Sequence, residues 1–395
     1  MLIPLADATA ATCGAKAGTL GRLVRARLTV PDGFVVPFAV HRAAPHGEPP
    51  DDLRDHLARS LATLGDVPVA VRSSAADEDG LHASAAGQHE TVLAVQGADT
   101  VVAAVRTCWA SLGSARAVAY RDATADGTAG KPTMGVLVQR LVEADVSGVM
   151  FTAPDAVTVI EASWGLGTSV VGGTVTPDTY RVATDGTVTC AVADKRTRVD
   201  RDGTRVVTRD VPEPDRTRPT LADDEARRLA RLGRRIADVL GGAQDIEWAV
   251  AGGTTWVLQA RPVTAPPPGR PSGDEHGAPP AHGAPHAGPG TLVGTPGSRG
   301  TATGPARVVR GPGDFARVRP GDVLVCPWTD PAWTPLLRLA AGVVTETGGV
   351  LSHAAIVARE RGIPAVLGVA GATSTLADGV TLTVDGDGGT VTTSA

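Results

Sequence analysis

The chain has 395 residues, of which 42% are hydrophobic and 20% charged, with a formal net charge of -5. That length suits two or three domains with full cores, and the hydrophobic content excludes a disordered chain. The mildly negative balance gives no general affinity for nucleic acid, and no apolar run in the sequence is long enough to span a membrane. Cys13, Cys108, Cys190 and Cys326 are scattered without C-x-x-C spacing, as expected of unpaired thiols in a reducing compartment. MLIPLADATAATCGAK has no basic region followed by an apolar stretch, so no signal peptide is expected and the expected location is cytoplasmic.

In chain order, the first notable segment is CGAKAGTLGRL, residues 13–23, which sets Lys16 among small residues just ahead of an expected helix. Lys16 is one of only three lysines, and a compact ammonium is a good point charge for a phosphate. PVAVRSSA reads as a strand that runs into a loop of small residues, ADEDGLHASAAGQHET. Gly, Ala and Ser let backbone N–H groups approach an anion, and Arg72 ends the strand where it can pair with phosphate oxygens. TMGVLVQRLV, GVMFTA and VTVIEAS read as further strands, and residues 179–211 as a meander with Asp-Gly turns. A helix follows, with Thr220 as expected N-cap and Asp223 three residues on. Leu229, Leu232, Ile236, Val239 and Leu240 recur at helical spacing, and Gly241-Gly242 ends it. Two nucleotide motifs fail: GTAGKPT lacks the first glycine of a P-loop and has Pro132 after Lys131, while ASWGLGTSVVGG carries Val170 at the third glycine position of a dinucleotide fingerprint.

DIEWAVAGGTTWVLQAR, residues 245–261, reads as a hairpin turning at AGG. With the turn centred near Gly253, Glu247 faces Gln259 and Asp245 faces Arg261, all four on one face, while Ile246, Trp248, Leu258 and Ala260 take the other. Taken alone, this is a solvent face with a cross-strand ion pair. The functional alternative is a hard-cation site in which Glu247 and Gln259 oxygens suit Mg²⁺ and Arg261 suits a phosphate. Residues 262–290 are rich in Pro, Gly, Ala and His and read as a linker, with His276, His282 and His286 as solvated linker residues. Residues 291–395 form an α/β domain of ordinary size, and in TETGGVLSHAAIVARERGIPAVLG a lone histidine, His353, follows a glycine turn and opens an expected helix.

The ordered set GAKAGTLGRL, VRSSAADEDGLHASAAGQHETVLAV, CWASLGSARAVAYR, VLVQRLVEADVSGVMFT, EASWGLGTSVVGGTVTPDTY and DIEW…VLQARPVT resembles the ATP-grasp domain of the dikinase superfamily. GTPGSRGTATGPARVV, GDVLVCPWTDPAWTPLL and the His353 segment resemble its swivelling phosphohistidine domain. The superfamily includes phosphoenolpyruvate synthase, pyruvate phosphate dikinase and rifampicin phosphotransferase. The resemblance implies an α+β multidomain chain: an ATP-grasp nucleotide-binding domain over 1–261, a flexible linker over 262–290 and a swivelling β/β/α phosphohistidine domain over 291–395. It implies ATP and Mg²⁺ as cofactors. Lys16, Arg72 and Arg116 are then phosphate contacts, and Gln139, Arg140, Leu141 and Val142 are the hinge beside the adenine. Glu247 and Gln259 hold the metal, Asp245 supports them, Arg261 lies near the transferred phosphate and His353 carries it. Without the resemblance, Arg116 reads as a solvated helix arginine and Gln139 as an ordinary strand residue. Synthase and dikinase usually have threonine two positions before the histidine, whereas this chain has Leu351 followed by Ser352; this and the segment TDPAWTPL lean toward the rifampicin phosphotransferase branch and leave open which hydroxyl supports the phosphohistidine.

An imidazole fits the carrier role because its neutral nitrogen is nucleophilic near neutral pH, and a helix N-terminus favours the phosphate dianion. Arg359 lies toward the far end of that helix and is not assigned to the phosphate. The implied chemistry moves the β-phosphoryl group of ATP to His353, with release of AMP and phosphate, and then to an acceptor. The sequence ends just after the phosphohistidine domain, so pyruvate and rifampicin lose support as acceptors. Three readings follow: a compact phosphotransferase for a small molecule such as a secondary metabolite, one subunit of a split enzyme with its acceptor domain on another chain, or a non-catalytic nucleotide switch. The complete set Lys16, Arg72, Glu247, Gln259, Arg261 and His353 argues against the switch. Neither nucleic acid nor membrane is an expected partner.

Overall fold

A computed structural model describes residues 2–44, 48–76, 90–114, 132–153, 156–266 and 290–393. Arg116, Lys131, most of the small-residue loop after Arg72, and the linker histidines lie outside the described residues. The chain is mixed α/β with several sheets and falls into two compact units. One comprises Met1–Asp145, Val199–Thr208 and Arg235–Pro262; the other comprises Val146–Arg198, Arg209–Arg234 and Val263–Ala395. Among the described residues no helix is long and apolar enough to cross a membrane.

In the first unit, five antiparallel strands run in the spatial order Ile3–Pro4, Gly33–Val36, Met134–Arg140, Val69–Ala75 and Thr91–Val95. PVAVRSSA is a central strand, buried at all seven positions of Val69–Ala75. It therefore reads as a nearly continuous apolar run rather than a strict alternation. Helices Leu53–Leu64 and Ala98–Ser111 contribute Leu57, Leu61, Val101 and Val105 to the core against this sheet. Helix Ala15–Arg25 packs against Val69–Ala75 and against the strand Thr254–Pro262. It begins after Gly14, whose φ of 89° suits glycine; a Cβ there would lie 2.0 Å from the Ser74 carbonyl oxygen.

In the second unit, the strands Val146–Thr152, Thr158–Trp164, Asp178–Val182 and Val188–Ala191 form an antiparallel meander. The expected Asp-Gly turns are present, with Gly186 and Gly203 at φ of 88° and 61°. The remaining strands of the expected meander, Thr197–Asp202 and Arg205–Asp210, form a separate two-stranded ribbon, most of which, Val199–Thr208, belongs to the first unit. Thr220 does not cap the following helix, which spans Asp223–Leu240. Its N–H and hydroxyl instead donate to Asp178, at 2.8 and 2.9 Å, and Glu225 accepts from the Ala222 N–H. Asp178 also accepts from fully buried Lys195 at 2.6 Å, so a second lysine of this lysine-poor chain is a core ion pair. A buried carboxylate and ammonium are tolerable only when paired and hydrogen-bonded in this way.

Residues 291–393 build an eight-stranded sheet. At its centre Thr301–Val308, Val323–Cys326, Gly342–Thr345 and Ala365–Leu367 lie parallel, and the outer pairings are antiparallel. The helix His353–Arg361 connects Gly342–Thr345 to Ala365–Leu367. Its N-terminus thus stands at the carboxyl ends of parallel strands, where open α/β sheets place their ligands.

Candidate functional site

The hairpin has the register expected of it. Asp245 pairs with Arg261 and Glu247 with Gln259. A bulge between Glu247 and Trp248 then brings Val257, rather than Leu258, opposite Trp248. Ile246, Trp248, Val257 and Ala260 are buried, while Leu258 is half-buried and offers its backbone oxygen to Arg72 at 2.6 Å. The bulge moves the apolar partner by one residue without disturbing the two polar pairs below it.

Those pairs differ in kind. Arg261 closes on Asp245 through Nε at 2.8 Å and a terminal nitrogen at 2.7 Å. Glu247 and Gln259 are drawn together by a third residue from another strand: one Arg72 nitrogen donates to Gln259 Oε1 at 2.5 Å and to Glu247 Oε2 at 3.2 Å. Two hard oxygens thus converge on one cationic group. A carboxylate and an amide oxygen completed by phosphate and water oxygens is the donor set that Mg²⁺ takes, so these residues fit the metal. Lys16 is buried and donates to the Ser73 carbonyl at 2.9 Å, on the strand that carries Arg72.

The segment expected beside the adenine is held by backbone and amide bonds. Buried Gln139 donates from Nε2 to the Pro31 carbonyl at 2.8 Å. Exposed Arg140 donates to the Leu64 carbonyl, the Leu141 N–H to the Pro68 carbonyl, and the Val142 side chain is buried.

His353 is buried, 5% exposed, and is the first residue of its helix after the N-cap Ser352. Thr329 Oγ1 lies 2.9 Å from its Nδ1, and Thr334 Oγ1 lies 3.4 Å from its Nε2. Both threonines belong to the segment TDPAWT, where Asp330 caps the turn by accepting from the Ala332 N–H at 2.7 Å. The structure thus brings two hydroxyls to the ring from a distant segment, whereas position 351, two before the histidine, serves a different purpose. Leu351 is 1% exposed and packs with Val149, Phe151, Val159 and Ile356. Arg359 donates to the carbonyls of Val350, Gly297 and Ala265, a strap between backbone segments.

The two glycines before His353 serve separate needs. Gly348 adopts φ 101°, the conformation expected of a tight turn. Gly349 is required by proximity, since a Cβ there would lie 2.1 Å from Glu161 Oε1. Glu161, from the strand Thr158–Trp164, was not singled out in the sequence, and its partners Val350 and Leu351 are 189 and 190 residues away. Thr329 and Thr334 were overlooked too, although the repeated hydroxyls of TDPAWT were their visible signal.

Residues 38–272 match the pyruvate phosphate dikinase AMP/ATP-binding domain, and residues 318–389 match the mobile domain of PEP-utilising enzymes. The chain is similar to phosphoenolpyruvate synthases: 35% identical over 96% of its length to that of Aeropyrum pernix, 40% over 87% to that of Pyrococcus furiosus, and 37% over 86% to that of Escherichia coli. It spans 56%, 44% and 45% of those three proteins, about half the length of the curated relatives it matches. With an AMP/ATP-binding domain of ATP-grasp type followed by a PEP-utiliser domain, the chain belongs to the dikinase superfamily.

Proposed function

We propose that the protein is an ATP-dependent, AMP-forming phosphotransferase in which His353 carries the β-phosphoryl group of ATP to a small-molecule acceptor. The observation that carries this reading is the state of the His353 ring. Thr329 Oγ1 lies 2.9 Å from Nδ1, closer than Thr334 Oγ1 at 3.4 Å from Nε2. In this reading Thr329 accepts from the Nδ1–H, which leaves the lone pair on Nε2 as the nucleophile.

The remaining residues take roles consistent with their surroundings. Glu247 and Gln259 hold Mg²⁺, and bound Mg²⁺ neutralises phosphate charge. Arg72, already spanning both oxygens, exchanges part of that contact for phosphate when nucleotide enters. Lys16 supplies a point charge, and Arg261, oriented by Asp245, faces the transferred group. Gln139 to Val142 border the adenine, and Arg116 is a further phosphate contact. Residues 1–261 act as the nucleotide domain, 262–290 as a tether and 291–395 as the swivelling carrier, in the cytoplasm. The His353 helix N-terminus stabilises the phosphorylated ring.

The names of the relatives favour pyruvate as acceptor and phosphoenolpyruvate as product. The matched region is less than half of the Pyrococcus furiosus and Escherichia coli relatives, so a second reading places acceptor binding outside these residues, as on a partner subunit. The test is product analysis with ATP, Mg²⁺ and pyruvate or a metabolite pool, with and without cell lysate. Acceptor-dependent AMP is expected from the protein alone, and AMP only with lysate supports the partner subunit. ADP as the nucleotide product overturns both readings.

A further inference from the structure

Glu161 is fully buried in the second unit, in the middle of the strand Thr158–Trp164, and the proposed chemistry makes no use of it. Its two oxygens accept separate hydrogen bonds from the loop before His353: Oε1 from the Val350 N–H at 2.6 Å and Oε2 from the Leu351 N–H at 3.1 Å. On the other side of the same residue, Arg359 takes the Val350 carbonyl at 2.7 Å. Thr347 adds a bond to the Gly173 carbonyl at 2.6 Å, and Leu351 enters the apolar cluster with Val149 and Val159. Gly349 has no Cβ, and only that absence lets the carboxylate reach the two amides.

We propose that Glu161 is a positioning residue, a two-pronged catch that docks the His353 loop on the strand Thr158–Trp164 and lets go of it during phosphoryl transfer. Two features separate a catch from permanent core. An isolated carboxylate in an apolar cluster is costly to bury, whereas apolar side chains alone would dock Leu351 and leave two buried amides without acceptors. A carboxylate satisfies both amides when docked and is well hydrated when undocked, so neither state strands a polar group. Burial pushes the Glu161 carboxyl up to about 7, against the downward pull of the two amides and of Arg359. The group is therefore poised between its charged and neutral forms rather than locked in one. The release step rests on the proposed carrier role of His353; the docking does not.

Glu161→Gln in the full chain keeps the volume but turns one acceptor into a donor that faces an amide. Hydrogen exchange of residues 347–353 is expected to quicken about tenfold or more, with the strand Thr158–Trp164 unchanged. His353 phosphorylation by ATP and dephosphorylation of phospho-His353 are expected to shift unequally, at least tenfold apart. Glu161→Asp, which reaches one amide only, is expected to fall between, and it serves as the readout if the Gln variant does not fold. Unchanged loop exchange in these variants, or exchange rising throughout the second unit with equal losses in both half-reactions, overturns the catch. If the wild-type protein never phosphorylates His353, the carrier reading fails while the exchange result still judges the docking.

Discussion

The Arg72–Glu247–Gln259 group and the His353 loop hold their key residues by opposite means. In the first unit, charges gather charges: buried Arg72 draws two oxygens together and buried Asp245 clamps Arg261, with Glu247 and Arg261 partly open to solvent. Such an arrangement is exchangeable, since an arriving cation or phosphate can replace one charged member with another. In the second unit, His353 is held by neutral hydroxyls, and its loop by a buried carboxylate against backbone amides. That arrangement is complete as it stands and must open to act. The difference teaches that the two proposed roles ask for different physics: a receiving site keeps its charges in exchangeable pairs, whereas a carrier ring is set by neutral hydroxyls on a loop pinned through its backbone.

This contrast can be broken at either end. The largest effect is expected at the charged end. Glu247→Ala leaves Arg72 with Gln259 and the Leu258 carbonyl and removes the only carboxylate of the proposed metal pair, so Mg²⁺-dependent AMP formation should fall on the order of 10²–10³-fold. A titration of rate against Mg²⁺ checks it, and near-wild-type turnover at ordinary Mg²⁺ would return the hairpin to a plain cross-strand ion pair. A smaller effect is expected at the neutral end. Thr329→Val removes the Nδ1 partner at nearly constant volume, so His353 phosphorylation should slow about tenfold with ATP affinity unchanged. Nitrogen NMR of the ring should show a mixture of tautomers where the wild type shows one. A single unchanged tautomer would move the orienting role from Thr329 to Thr334.

How far each region was legible follows from the same contrast. The hairpin was legible because alternation and a glycine turn specify cross-strand neighbours within 17 residues, and the bulge shifted only the apolar partner. Arg72 was legible as a cation at a strand end, but its grip on Glu247 and Gln259 spans 175 and 187 residues, beyond any local pattern. His353 was legible through the glycine turn and the resemblance. Its neighbours were not: Thr329 arrives from a loop 24 residues back, and Glu161 is the one acidic residue of the strand Thr158–Trp164, where nothing marks it as a partner of backbone amides. Thr220 was misread because a side-chain cap and a bond to a buried carboxylate look alike in sequence.

The account turns on whether His353 becomes phosphorylated with the β-phosphoryl group. Incubation with β-³²P ATP and Mg²⁺, followed by peptide mapping under alkaline conditions that preserve phosphohistidine, tests it most directly. The predicted result is label on the His353 peptide with AMP released, and no label in His353→Ala. Label that persists in that variant, or an unlabelled wild-type protein that still turns over ATP, would contradict it.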